Sequence, residues 1–106
     1  MKLQVRARHV DVTPALHELV NRRVRFTLAR FEHAVREVHV TLGDSNGPRG
    51  GVDKTCQVRL GGPGVADIVV HTTALELSTA VDDALHRAAE AVTRALGRRR
   101  DIAVTA

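Results

Sequence analysis

Apolar and polar residues alternate along KLQVRAR, Lys2 to Arg8, with Leu3, Val5 and Ala7 on one side and Gln4, Arg6 and Arg8 on the other. A period of two is that of a half-buried strand. The period then changes. Through VTPALHELVNRRVRFTLARF, Leu16, Leu19, Val20, Val24, Leu28 and Phe31 recur every three or four residues, which predicts an amphipathic helix. Thr13 suits its N-cap and Pro14 its first position, where the missing N–H does no harm. Arg22, Arg23, Arg25 and Arg30 fall mostly off the apolar stripe.

Alternation returns in three further segments. EVHVTL (Glu37 to Leu42) turns Val38, Val40 and Leu42 inward and His39 and Thr41 outward. DKTCQVRL (Asp53 to Leu60) turns Cys56, Val58 and Leu60 inward and Thr55, Gln57 and Arg59 outward. After the turn signal GGPG, ADIVVHT (Ala66 to Thr72) reads as a fourth strand. A second helix is predicted from Leu77, Val81, Ala84, Leu85, Ala88, Val92, Ala95 and Leu96. Thr73 and Glu76 have the spacing of a capping box at its start. Gly97 is expected as the glycine that ends it, with Arg98, Arg99 and Arg100 complementing the negative end of the dipole. Residues 1–97 then form one domain and 98–106 a basic C-terminal tail, with DIAVTA frayed.

The order β-α-β-β-β-α, with one apolar face per strand and one apolar stripe per helix, predicts an α+β two-layer sandwich. Its four-stranded sheet carries both helices on one face and leaves the other wet. The crossover through the first helix should make strands one and two parallel.

Composition narrows the class. The 106 residues suit one small domain, 43% hydrophobic and 26% charged, as in ordinary globular proteins. No apolar run is long enough for a membrane helix, and the N-terminus reads as a strand, not a signal peptide. The single cysteine, Cys56, has no internal disulfide partner, which fits a cytoplasmic location. Alternation puts it in the core, where it acts as a small hydrophobe. The net charge is +4, and among the cations only Lys2 and Lys54 are lysines. The remaining cations are arginines, whose planar forks bond phosphate oxygens bidentately. Nucleic-acid contact and a merely solvated cationic surface both fit that charge.

The glycine-rich stretch GDSNGPRGG (Gly43 to Gly51), followed by VDKT, invites comparison with a phosphate-binding loop. Such a loop needs Gly-Lys-Ser/Thr and must open a helix. Here Val52-Asp53 precede Lys54-Thr55 and a strand follows, so the stretch is a long hairpin connection. His39 and His71 share the outer sheet face, with backbones ~10 Å apart across two strand steps. No carboxylate or thiolate completes a metal site there. Asp82 and Asp83 diverge by ~100° on the helix and form no acid/base pair. No nucleophile constellation is present, and no enzyme activity, cofactor, metal or small-molecule substrate is expected.

LQVRARHVDVTPAL, REVHVTLGDSNGPRGGVDKTCQVRL and LSTAVDDALHRAAEAV resemble the ribosome hibernation promoting factor family, also called ribosome-associated inhibitors or sigma-factor modulation proteins. The likeness runs to about Arg98. Its most specific parts are V-x-V-T-P-A-L and the pair Val81-Asp82, and the Asp-Lys-x-Cys strand looks like a variant branch. The resemblance implies the same fold, and binding to small-subunit ribosomal RNA in the channel of messenger and transfer RNA. Blocked translation or preserved ribosomes under stress would follow. It aligns Arg23 with a family first-helix lysine and Arg87 and Arg94 with basic second-helix positions. A family tyrosine is replaced within Glu76-Leu77-Ser78, and an Arg-Gln pair by Glu90-Ala91. The chain resembles the short form.

Residues 87 and 94 lie seven apart, on one helix face, continuing toward Arg98 and Arg99. With Arg22, Arg23, Arg25 and Arg30 they are the candidate RNA contacts. With few rings for stacking, the expected readout is RNA shape and backbone. The alternative function is a protein-binding regulator, for instance of a transcription factor, using the open sheet face with Arg6, Arg8, Arg59 and His39.

Overall fold

The structure is a computed structural model and describes residues 1–44, 53–63 and 65–105, without the side chains of 66 and 98–105. Its elements are β1 (Lys2–Arg8), α1 (Pro14–Leu28) with a 3₁₀ turn at Ala29–Phe31, β2 (Glu37–Asp44), β3 (Lys54–Gly62), β4 (Val65–Ala74) and α2 (Leu77–Thr105). They occur in the expected order. The sheet order is β1-β2-β3-β4; β1 and β2 are parallel, and the other two pairings are antiparallel. The stretch Gly43 to Gly51 leads from β2 toward β3. Gly43 and Asp44 belong to β2, and positions 45–52 lie outside the described residues.

One face of the sheet is sealed by the helices. Val38, Val40, Leu42, Cys56, Val58 and Leu60 are almost fully buried, while Arg6, Arg8, Gln57 and Arg59 on alternate positions are exposed. Helix α1 adds Val20, Val24 and Leu28 to the core, and α2 adds Val81, Leu85 and Val92. Each such side chain contributes about 1.5–3 kcal/mol on leaving water. Alanines at 80, 84 and 88 are also fully buried, so the backbone of α2 can lie close to the sheet. Helix α2 packs on β3 and β4, and α1 lies beside α2.

The cap of α1 is as read: Thr13 Oγ1 accepts from the Leu16 N–H at 3.1 Å and Pro14 opens the helix. The start of α2 differs. Thr73 is a strand residue paired with Thr55, so it does not cap the helix. Backbone pairing to β3 continues through Ala74 and outcompetes the local capping signal. The first intrahelical bond runs from the Ala80 N–H to the Glu76 carbonyl. The neighbouring Thr72 hydroxyl, buried, donates to the Ala80 carbonyl at 2.7 Å and ties β4 to the helix.

Gly97 does not end α2, which runs on to Thr105. Glycine raises the cost of a helix without forbidding it. The following arginines are good helix formers and no proline follows. The stretch DIAVTA, read as frayed, therefore continues the helix as far as Thr105.

At the end of β2 a charged cluster closes the sandwich. Lys54 Nζ stands 2.8 Å from Asp44 Oδ2 and 3.5 Å from Asp53 Oδ1, and Asp53 is buried. The Asp44 hydrogen bond holds the Lys54 ammonium above the usual lysine range; burial pulls the other way and Asp53 adds to the rise. The Asp-Lys-x-Cys strand is thus spent on architecture, with Cys56 in the core beneath it.

Candidate nucleic-acid interface

The side chains of helix α1 point in several directions. Its buried stripe, Val20, Val24 and Leu28, faces the sheet. Arg23, Thr27 and Arg30 line the groove between α1 and α2, a depression of ≈ 770 Å³. Arg25 belongs to the opposite flank: its guanidinium contacts Asn21 Oδ1 at 3.3 Å and the Met1 carbonyl at 3.4 Å. Arg22 lies on the outer surface beside Arg23 and Phe26. The first-helix arginines therefore do not share one face, because a turn of 3.6 residues spreads positions 22, 23 and 25 around the helix.

Helix α2 supplies both signs of charge to the groove. Arg23 Nη1 reaches Asp82 Oδ1 at 2.6 Å and Oδ2 at 2.5 Å. Two positions singled out by the family resemblance thus meet as an ion pair between the helices. His86 Nε2 stands 2.8 Å from Glu90 Oε1, and Arg94 Nη1 stands 3.9 Å from Glu90 Oε2. Asp83 also lines the groove and is exposed. Arg30 has no carboxylate partner among the described residues; its guanidinium lies 4.7 Å from the centroid of the Phe31 ring. Arg30 and Arg94 line one stretch of groove together with His86.

Arg87 is exposed and has no ion pair among the described residues, but it does not line the interhelix groove. The side chains of Arg98 and Arg99 lie outside the described residues. Arg30 shares the groove with Arg23 at one stretch and with Arg94 at another, Arg22 borders Arg23, and Arg25 and Arg87 stand apart. The surface is mixed: Arg22 and Arg30, without carboxylate partners among the described residues, border an acid-lined groove, and Arg87, likewise unpaired, lies outside it.

Sequence reasoning missed Phe26. It is 89% exposed, the most exposed large apolar side chain among the described residues, and it stands between Arg22, Arg23 and Arg30. The signal was present: position 26 falls off the stripe formed by 20, 24 and 28.

The open sheet face is a second polar surface. A concavity of ≈ 450 Å³ is lined by Arg6, His39, Gln57 and Arg59, with Glu37 and Asp67 at one end. Arg59 is 3.4 Å from Asp67, and His39 Nε2 is 3.7 Å from Glu37. His39 is registered with Arg59 and His71 with Gln57, so the two histidines are offset along the strands as well as across them. Among the described residues no group of three or more His, Cys, Asp or Glu could hold a metal ion, and no helix is long and apolar enough to cross a membrane.

The fold has known counterparts. A ribosomal subunit interface protein from Coxiella burnetii superimposes with a TM-score of 0.75 at 18% identity, over 89% of this chain and 96% of that one. The N-terminal domain of Protein Y from Thermus thermophilus gives 0.72 at 18% identity, over 89% of this chain and 98% of that one. At such identity the likeness is one of fold. Among curated proteins, no sequence matches the chain. The family model described as sigma 54 modulation protein / S30EA ribosomal protein matches residues 3–100, nearly the whole length, and the chain belongs to that family.

Proposed function

We propose that this protein is a non-enzymatic, cytoplasmic, ribosome-associated factor that binds small-subunit ribosomal RNA through the outer surface of its two helices, and that it holds translation down or preserves ribosomes under stress. The family match over residues 3–100 carries the reading. Two solved structures of the same fold are described as a ribosomal subunit interface protein and as Protein Y, which is consistent with it. Arg22, Arg30 and Arg87, unpaired with carboxylates among the described residues, are the groups best suited to phosphate oxygens. Arg94, Arg98 and Arg99 extend the same helix. Arg23, held by Asp82, contributes by fixing the helix pair and by its remaining N–H donors.

Co-sedimentation with purified 30S subunits across a salt series tests the proposal. Phosphate-driven binding weakens linearly on a log–log plot, with a slope set by the number of phosphates contacted. Protein left at the top of the gradient in low salt overturns it. Addition of the protein to a cell-free translation system should lower the yield in proportion to the ribosomes occupied.

The open sheet face favours a second reading, a regulator that binds another protein through Arg6, Arg8, Arg59 and His39. Its concave, polar lining with both charge signs is the observation behind it. A partner retained in pull-downs after nuclease treatment would support this reading over the first.

A further inference from the structure

We propose that Phe26 is a stacking platform for one unpaired nucleobase, seated over the groove between α1 and α2, with the flanking phosphates held by Arg22 and Arg30. The inference rests on the RNA-binding reading above and specifies how that surface would engage its ligand.

The argument begins with the cost of leaving a benzyl group in water. Phe26 is 89% exposed and lies off the apolar stripe of α1, whose Val20, Val24 and Leu28 are buried. Its surroundings say what could cover it. Arg22 and Arg23 stand on one side, and Arg23 and Arg30 border the groove on the other. An apolar protein partner would have to bring several cations out of water together with the ring. A nucleic acid offers both halves of the match: a flat π face for the ring and phosphates for the guanidinium groups.

The acids of the groove refine the assignment. Asp82 and Asp83 line it with Phe26, and a phosphate placed there would meet two carboxylates. The groove therefore suits a base, and the phosphates belong at its rims. Asp82 is engaged with Arg23, but the Asp83 carboxylate is exposed and has no ion pair among the described residues. It can accept a hydrogen bond from an exocyclic amine, which favours cytosine, adenine or guanine over uracil. Ala29 and Ala89, at the same groove, leave room for a planar ring beside Phe26.

Stacking and phosphate contact depend on salt differently, and that separates them. With 30S subunits as the probe, Phe26→Ala should weaken binding at least fivefold while leaving the salt slope unchanged. Arg22→Ala should instead lower the slope by about one. Phe26→Leu keeps apolar area without a π face, and should remain as weak as the alanine variant. An exposed residue can be changed without unfolding the core, and matching circular-dichroism melts verify that. A benzophenone-bearing residue at position 26 should crosslink to ribosomal RNA on irradiation.

Wild-type affinity in Phe26→Ala, full rescue by leucine, or a crosslink to ribosomal protein would each overturn the inference. Those outcomes leave the proposed function standing, because the arginine dependence of wild-type binding is read in the same experiment. If wild-type protein does not bind 30S subunits at all, the broader proposal fails first.

Discussion

Gly62 shows how one residue can fix the shape of a connection. Its φ is +156°, and a Cβ built there would come within 2.2 Å of the Ala34 carbonyl oxygen and 2.8 Å of the Arg36 nitrogen. The backbone that leads into β2 crosses the end of β3 there, and the Arg36 N–H bonds the Gly61 carbonyl at 2.9 Å. Gly62→Ala should destabilise the fold by about 2 kcal/mol or more, read as a lowered urea midpoint. Cys56 gives a pH-dependent counterpart. Burial pushes its thiol from the ordinary 9.0 to about 12. Between those values the unfolded chain has lost the proton and the folded chain keeps it, so stability falls as pH rises through the window. The thiol's share of the loss approaches about 1.4 kcal/mol per pH unit there, and Cys56→Ala should remove that share, leaving the part due to the raised Lys54 ammonium. At pH 8 the native thiol should resist alkylating reagents that modify it at once in urea.

At the scale of elements, α2 is where local signals and tertiary structure disagree most. Alternation and helical spacing made all six elements legible, since one face of each had to be buried. The beginning and end of α2 were not legible. Thr73-x-x-Glu76 has the spacing of a cap, but strand pairing with Thr55 claims Thr73 first. Gly97 looks like a stop, but among the described residues nothing within 4 Å of it would obstruct a Cβ, and the helix continues. Gly97→Ala should therefore add about 0.5–1 kcal/mol to helix stability and raise the far-UV helical signal. A loss instead would restore the glycine as the true end.

The same helix shows why the candidate site was only half readable. Periodicity places Arg23 and Asp82 on their own helices, but not against each other across them. Both side chains are over a third exposed, so their ion pair is worth no more than about 1 kcal/mol. Asp82→Asn should cost little stability, yet it frees a guanidinium beside the groove. Affinity for 30S subunits should rise at least twofold at low salt, with a slope steeper by about one. Equal affinity would mean that Arg23 serves only to join the helices.

On the scale of the whole molecule, two cationic faces compete to be the ribosome-binding surface. The helix face offers Arg22 and Arg87, and the open sheet face offers Arg6 and Arg8, which follow one another on the outer side of β1. Net charge alone cannot discriminate them, because a field of several kT steers any polyanion toward a basic protein. Charge-matched reversals can. Arg22→Glu with Arg87→Glu, and Arg6→Glu with Arg8→Glu, each take the chain from +4 to zero. The long-range attraction falls equally in both, so any difference in equilibrium affinity reports the local contacts. All four side chains are exposed and without ion pairs among the described residues, so neither pair should disturb folding. The helix-face pair should lose binding at least tenfold more than the sheet-face pair, with the larger fall in salt slope. Equal losses would mean that the protein is attracted as a diffuse cation, and a larger loss on the sheet face would move the interface to the other side of the sandwich.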